Sequence, residues 1–214
     1  MTPNSKKKPV SSKNRSENTS AAQVDMILAP YIRKAASLLK VDMPKFVIVD
    51  ILYESSINGE KMFCLQQISN EMSIPSDAYF LGGRFMDQQD TVYISRKCPY
   101  YDNTAQKTIF DDLTIPEILY ISLHELRHKW QFEYQRKKIN NSPLLTNGED
   151  PADIDADGFA MAFLISDCTP YSSFDLPSIM LNIAYNNELD HGARIQRARE
   201  LIREYDFHRK RSIC

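Results

Sequence analysis

The chain predicts an α+β fold: a small, mainly antiparallel sheet built in the first half, packed on one long helix and followed by additional C-terminal helices. Three observations carry this expectation. Short runs rich in β-branched and aromatic residues alternate with turn residues between positions 46 and 96. A helix-start signal, Thr114-Ile-Pro-Glu117, then opens a long stretch with helical spacing. From Asp150 onward the apolar residues again recur at helical rather than strand period.

Taken in order, residues 1–20 carry Lys6, Lys7, Lys8, Lys13 and Arg15 among Ser, Asn and Pro, with almost no large aliphatic side chain. Such a segment buries too little apolar surface to offset the entropy of ordering, so a disordered basic tail is expected there. It has no apolar stretch behind its charges and does not read as a secretory signal. Residues 21–214 are expected to form a single domain. Val24, Ile27, Leu28, Ile32, Ala35, Leu38 and Leu39 recur every three or four positions and predict a packing helix, with Pro30 as a possible kink.

The run Phe46 to Leu52 and the segment Met62 to Ile68 flank Asn58-Gly59 and predict a pair of strands. Tyr79 to Met86 and Thr91 to Arg96 flank Asp87-Gln-Gln-Asp90 and predict another. A polar loop follows. The helix opened by Thr114 is expected to run to about Lys138, and one opened by Asp150-Pro151 to end before Pro170. Two further helices are expected at about Leu176 to Asn186 and Ala193 to Tyr205.

Composition narrows the class. Hydrophobic residues make up 43% and charged residues 25% of the 214, ordinary for a globular protein, and no apolar run suggests a membrane span. Cys64, Cys98, Cys168 and Cys214 lie far apart, which argues against a disulfide framework and an all-cysteine metal site. A reducing cytoplasm is the expected compartment. Five of the 26 bases and one of the 28 acids lie in the first twenty residues, leaving the remainder at a net −6. Only the tail and the segment Arg194 to Arg211 offer a basic face, so nucleic acid is not an expected partner.

Within the first capped helix stands His124-Glu-Leu-Arg-His128, an HExxH motif. Two histidines four apart share one helical face, with Cβ atoms about 5 to 6 Å apart, so both imidazoles can converge on one Zn²⁺. Glu125 is rotated from His124 by about 100°, beside the open position of such a metal, where it can act as general base on the attacking water. Catalytic zinc takes three protein ligands, so a third must come from elsewhere. The segment Glu149 to Asp157 offers Glu149, Asp150, Asp153, Asp155 and Asp157, five carboxylates without a base among them. Like charges crowded at a helix start repel, and a nearby cation would relieve them.

The HExxH motif followed by Asp153-Ile-Asp-Ala-Asp157-Gly-Phe-Ala160 resembles the gluzincin class of zinc metallopeptidases. It is most similar to the compact intracellular ImmA/IrrE-type regulatory peptidases and to the catalytic domain of the heat-shock membrane zinc peptidases. The resemblance implies a zincin-like fold, hydrolysis of peptide bonds in a protein or peptide substrate, His124, His128 and Asp153 as metal ligands, and Asp157 as the partner of a ligand histidine. Those families usually carry Glu where this chain has Asp153, and Asp155 and Glu149 remain alternative ligands. Asp190-His191 with Arg194 is similar to a His-Pro segment of the heat-shock peptidases, which would make His191 a stabiliser of the developing oxyanion; Tyr120 and Tyr134 are further donors to consider. The resemblance also implies that Thr91 to Arg96 or its partner strand pairs with an extended substrate. Trp130 and Phe132 read as packing residues. Two other classes compete: a binding or regulatory module of the same fold without turnover, and a nucleic-acid-associated protein with a structural metal.

Overall fold

In a computed structural model, residues 21–57, 60–66, 78–102, 107–135, 150–167 and 191–205 are described. The fold is mixed α+β: four α-helices and eight strands among these residues. Helix α1 (Ala21–Leu39) contains Pro30 and turns Leu28, Ile32, Ala35, Ala36 and Leu39 into the core. Strand β1 (Lys45–Val49) pairs in parallel with β6 (Thr91–Ser95), which pairs antiparallel with β5 (Gly83–Met86), giving the order β1-β6-β5. A second sheet has the order β3-β2-β4, from β2 (Ile51–Ile57), β3 (Glu60–Gln66) and β4 (Tyr79–Leu81).

The run at 46–52, expected as one strand, is therefore split between two sheets at Asp50. That residue's carbonyl accepts Lys97 N at 3.0 Å, and its carboxylate accepts Arg96 Nη2 at 2.7 Å. The break is stabilised by long-range partners that no local pattern announces. The stretch after Arg96, expected as a polar loop, is a hairpin of β7 (Lys97–Asp102) and β8 (Lys107–Asp112). Pro99 and the acidic ends weaken its strand signal.

Helix α2 (Ile115–Trp130) begins as its sequence dictates: Thr114 N and Oγ1 both donate to Glu117 Oε2, at 2.6 and 2.7 Å. It ends earlier than expected, because Gln131–Gln135 winds as a wider π-helical turn. Its apolar face, including Leu119, Leu123 and Leu126, packs against β5, β6 and α1 on one side and against α3 (Pro151–Asp167) on the other. Asp150 starts α3, its Oδ1 accepting Ala152 N at 2.8 Å. Phe159, Ala160 and Phe163 are fully buried in the shared core. Helix α4 (His191–Glu204) packs closely on α3: a Cβ at Gly158 would stand 2.7 Å from Arg197 Cγ, so only glycine admits that approach. The expected tail at 1–20 and the expected helix at 176–186 lie outside the described residues. No helix among the described residues is long and apolar enough to cross a membrane.

Candidate metal centre

The histidine pair is placed by α2 and its counterpart by the first turn of α3. His124 Nε2 and His128 Nε2 stand 2.9 Å apart. Asp153 Oδ1 lies 3.2 Å from His128 Nε2 and 3.9 Å from His124 Nε2. A tetrahedral zinc with ligand bonds of about 2.0 to 2.2 Å separates its donor atoms by about 3.3 Å. The three observed separations bracket that value, so two imidazoles and one carboxylate of this chain fit a single small cation. All three lie on the wall of a cavity of about 810 Å³, together with Glu125, Phe85 and Arg194.

The far nitrogens of both imidazoles are also engaged. His124 Nδ1 meets Asp157 Oδ1 at 2.7 Å, and His128 Nδ1 meets Gln131 Oε1 at 2.8 Å. Asp157 is itself held by Tyr120, whose hydroxyl donates at 2.8 Å, and by Arg194 Nε at 2.5 Å. Burial would raise the Asp157 carboxyl, but His124 and Arg194 outweigh it and hold the group well below the usual carboxylate range. Burial opposes charge on His124; the carboxylates of Asp157, Glu125 and Asp153 overcome this and push its pKa up to about 9. Burial raises the Tyr120 hydroxyl well above 10, and the Asp157 charge adds to the shift. Asp153 is half exposed; the hydrogen bond to His128 and the two imidazoles lower its pKa against the effect of burial.

Glu125 lies on the cleft side, 6% exposed, and its Oε2 accepts Phe85 N at 2.7 Å. Strand β5 can come this close because Gly83 has no side chain: a Cβ there would stand 2.7 Å from Glu125 Cγ and from Ile121 Cγ2. Ser95 N donates to Gly82 O at 2.8 Å, and Gly83 pairs with Ile94, so alternation along the antiparallel ladder turns the polar groups of Gly83 and Phe85 away from β6. The strand bordering the cleft is thus β5. β6, the other candidate, is the central strand of its sheet.

The remaining candidates divide between residues with other partners and residues outside the described set. Asp155 does not join the histidines: it is 2% exposed and its carboxylate faces Arg127 Nε at 2.7 Å, Arg127 Nη2 at 3.1 Å and Arg197 Nε at 2.7 Å. Two positions along a helix turn a side chain by about 200°, which aims it opposite to Asp153. Glu149 lies outside the described residues, as does the side chain of His191, although His191 begins α4. Tyr120 faces Asp157 rather than the open cleft, and Tyr134 donates to Lys40 O at 3.5 Å. Phe132 is 48% exposed and stacks edge-on with Phe85, ring centroids 6.2 Å apart, so it lines the cleft instead of filling the core. Arg194 and Arg197, the start of the basic segment, are committed to Asp157 and Asp155. Sequence reasoning missed Arg194 and Gln131 as members of the site. The spacing Arg194-x-x-Arg197, matched to Asp155-x-Asp157, was the available signal.

Compared with family models, curated proteins and solved structures, the chain matches none of them.

Proposed function

We propose that the protein is a zinc metallopeptidase with a zincin-like, gluzincin-type site that hydrolyses peptide bonds in a protein or peptide substrate. The observation that carries this reading is the convergence of His124 Nε2, His128 Nε2 and Asp153 Oδ1 within 3.9 Å of one another, with the Glu125 carboxylate on the same cleft wall. Two imidazoles and a carboxylate also suit ferrous iron; Glu125, the next residue after a ligand histidine, favours hydrolytic zinc. When bound there, zinc would supply Lewis-acid polarisation of the scissile carbonyl and a more acidic water.

The rest of the chemistry falls to the chain. His124, His128 and Asp153 hold the ion, and Asp157 keeps His124 turned toward it. Glu125 accepts a proton from the attacking water and returns it to the leaving amine. Gly83 and Phe85 present the edge of β5 that faces away from β6 to an extended substrate segment, which adds as a strand. As the segment enters, its carbonyls compete for the Phe85 amide, which Glu125 then releases. Phe85 and Phe132 form an apolar wall beside that edge.

The test is hydrolysis of a mixture of unstructured peptides by the zinc-loaded protein and by Glu125→Gln. Losing a general base should cut turnover by about 10²- to 10⁴-fold while zinc stays bound. Activity of Glu125→Gln within about tenfold of the parent, below that range, would reject the proposed role.

A further inference from the structure

Gln131 follows His128 by three positions, at the end of α2, and is 3% exposed. Its amide has partners at both ends. Nε2 donates to Ala152 O at 2.8 Å and to Asp155 Oδ2 at 2.9 Å. Both partners accept: one is a backbone carbonyl, and the other is a carboxylate that already faces the donor groups of Arg127 and Arg197. The amide nitrogen must therefore face them, which leaves Oε1 facing His128 Nδ1 at 2.8 Å. An amide oxygen cannot donate, so Nδ1 is the hydrogen-bearing nitrogen of that contact, and Nε2 is the nitrogen turned toward His124 and Asp153.

We propose that Gln131 is a positioning residue of the metal centre: by accepting the His128 Nδ1 hydrogen it fixes the tautomer and ring orientation that offer Nε2 to a divalent cation. The inference rests on the metal-centre reading above and adds to it the means by which the second histidine is oriented.

The two histidines are served in parallel but by different chemistry. Asp157 holds His124 directly with a carboxylate, whereas His128 meets a neutral amide backed by the carboxylate of Asp155. An amide serves both sides at that place, accepting from an imidazole on one and donating to a carboxylate on the other. Rotating it would set an oxygen against Asp155 Oδ2 and an N–H₂ against an N–H. Helix α4 anchors both arrangements, since Arg194 grips Asp157 and Arg197, one turn later, grips Asp155. Both ligand orientations therefore depend on how α4 docks against α3.

The experiment uses the full chain with zinc alone as probe, measuring affinity by competition with a chromogenic chelator for the parent, Gln131→Leu and Gln131→Glu. Gln131→Leu removes the acceptor and should weaken zinc binding by about 10- to 100-fold. Gln131→Glu keeps an acceptor for Nδ1–H while losing the donors to Ala152 and Asp155. It should stay closer to the parent than the tenfold lower end of that range, even as its metal-free thermal midpoint falls. Equal losses in the two variants would make Gln131 only a tie between α2 and α3 and would overturn the proposal. Should Gln131→Leu fail to fold, imidazole ¹⁵N shifts of the zinc-loaded parent decide: zinc on His128 Nε2 with hydrogen on Nδ1 supports it, and ligation through Nδ1 overturns it. A parent that takes up no zinc sinks the metal-centre reading itself, whereas a parent and Gln131→Leu that bind zinc equally well sink only this inference.

Discussion

Asp153 and Asp155 are separated by one residue on α3 and belong to different regions of the molecule. Asp153 is half exposed in the cleft, with its carboxylate against two imidazoles. Asp155 is buried behind the cleft against two guanidinium groups, one of which, on Arg127, is 1% exposed and lies 3.6 Å from the centre of the Trp130 ring. The first environment is open to an ion from solvent. The second supplies its own cations and excludes water. Identical side chains two positions apart on one helix thus face different partners, imidazoles in the cleft and guanidinium groups behind it.

The largest expected effect would break the comparison at its buried end. Asp155→Ala strands Arg127 in the core, and removing one partner of a buried ion pair costs about 3 to 5 kcal/mol. Asp153→Ala, measured by denaturant unfolding of the metal-free protein, should change stability by about 1 kcal/mol or less. If the two substitutions cost the same, the division between cleft and anchor is wrong.

A second effect concerns the metal-free cleft across pH. The folded-state pKa of His124 is raised to about 9 from an unfolded value of 6.5, so its contribution to stability is complete below 6.5 and lost as pH rises through about 9. Asp157 is shifted the opposite way; its contribution is present above its unfolded value of 3.8 and lost as pH falls below it. Metal-free protein should therefore lose on the order of 1 to 3 kcal/mol between pH 6.5 and 9, and His124→Gln should flatten that slope. Over the same range zinc displaces the His124 proton, so zinc affinity should rise with pH. An unchanged stability profile in His124→Gln would contradict the charge assigned to the pair.

Asp157→Asn sharpens the comparison by testing a third carboxylate, one that meets the far nitrogen of His124. It should weaken zinc binding by about 10- to 100-fold, less than the loss from Asp153→Ala under the same competition assay. At the small end stands Tyr134→Phe, which removes a hydroxyl 3.5 Å from Lys40 O at the surface. Its unfolding free energy should stay within about 0.5 kcal/mol of the parent with zinc affinity unchanged; a larger change would give Tyr134 a role in the centre.

Much of this was legible in the sequence where the cause was local. The capping box at Thr114 and Glu117, the i, i+4 histidines and the start of α3 at Asp150 are short-range patterns, and each is present in the fold. What was not legible rests on distant partners. Helical spacing set Asp155 on a different face from Asp153, but its partners could not be read from pattern, because Arg127 and Arg197 lie 28 and 42 positions away. Arg194 read as part of a basic segment because its partner, Asp157, is 37 positions earlier. The hairpin of β7 and β8 was hidden by Pro99 and polar strand ends, and the split at Asp50 by a continuous β-branched run on both sides.

The central claim is that His124, His128 and Asp153 form one metal centre, and zinc titration of the metal-free full chain followed by calorimetry tests it most directly. The account predicts one zinc per chain in the parent, severe weakening in Asp153→Ala, and a proton released on binding below about pH 9 as His124 gives up its charge. A parent that binds no zinc, or an Asp153→Ala variant that binds it as tightly as the parent, would contradict the account.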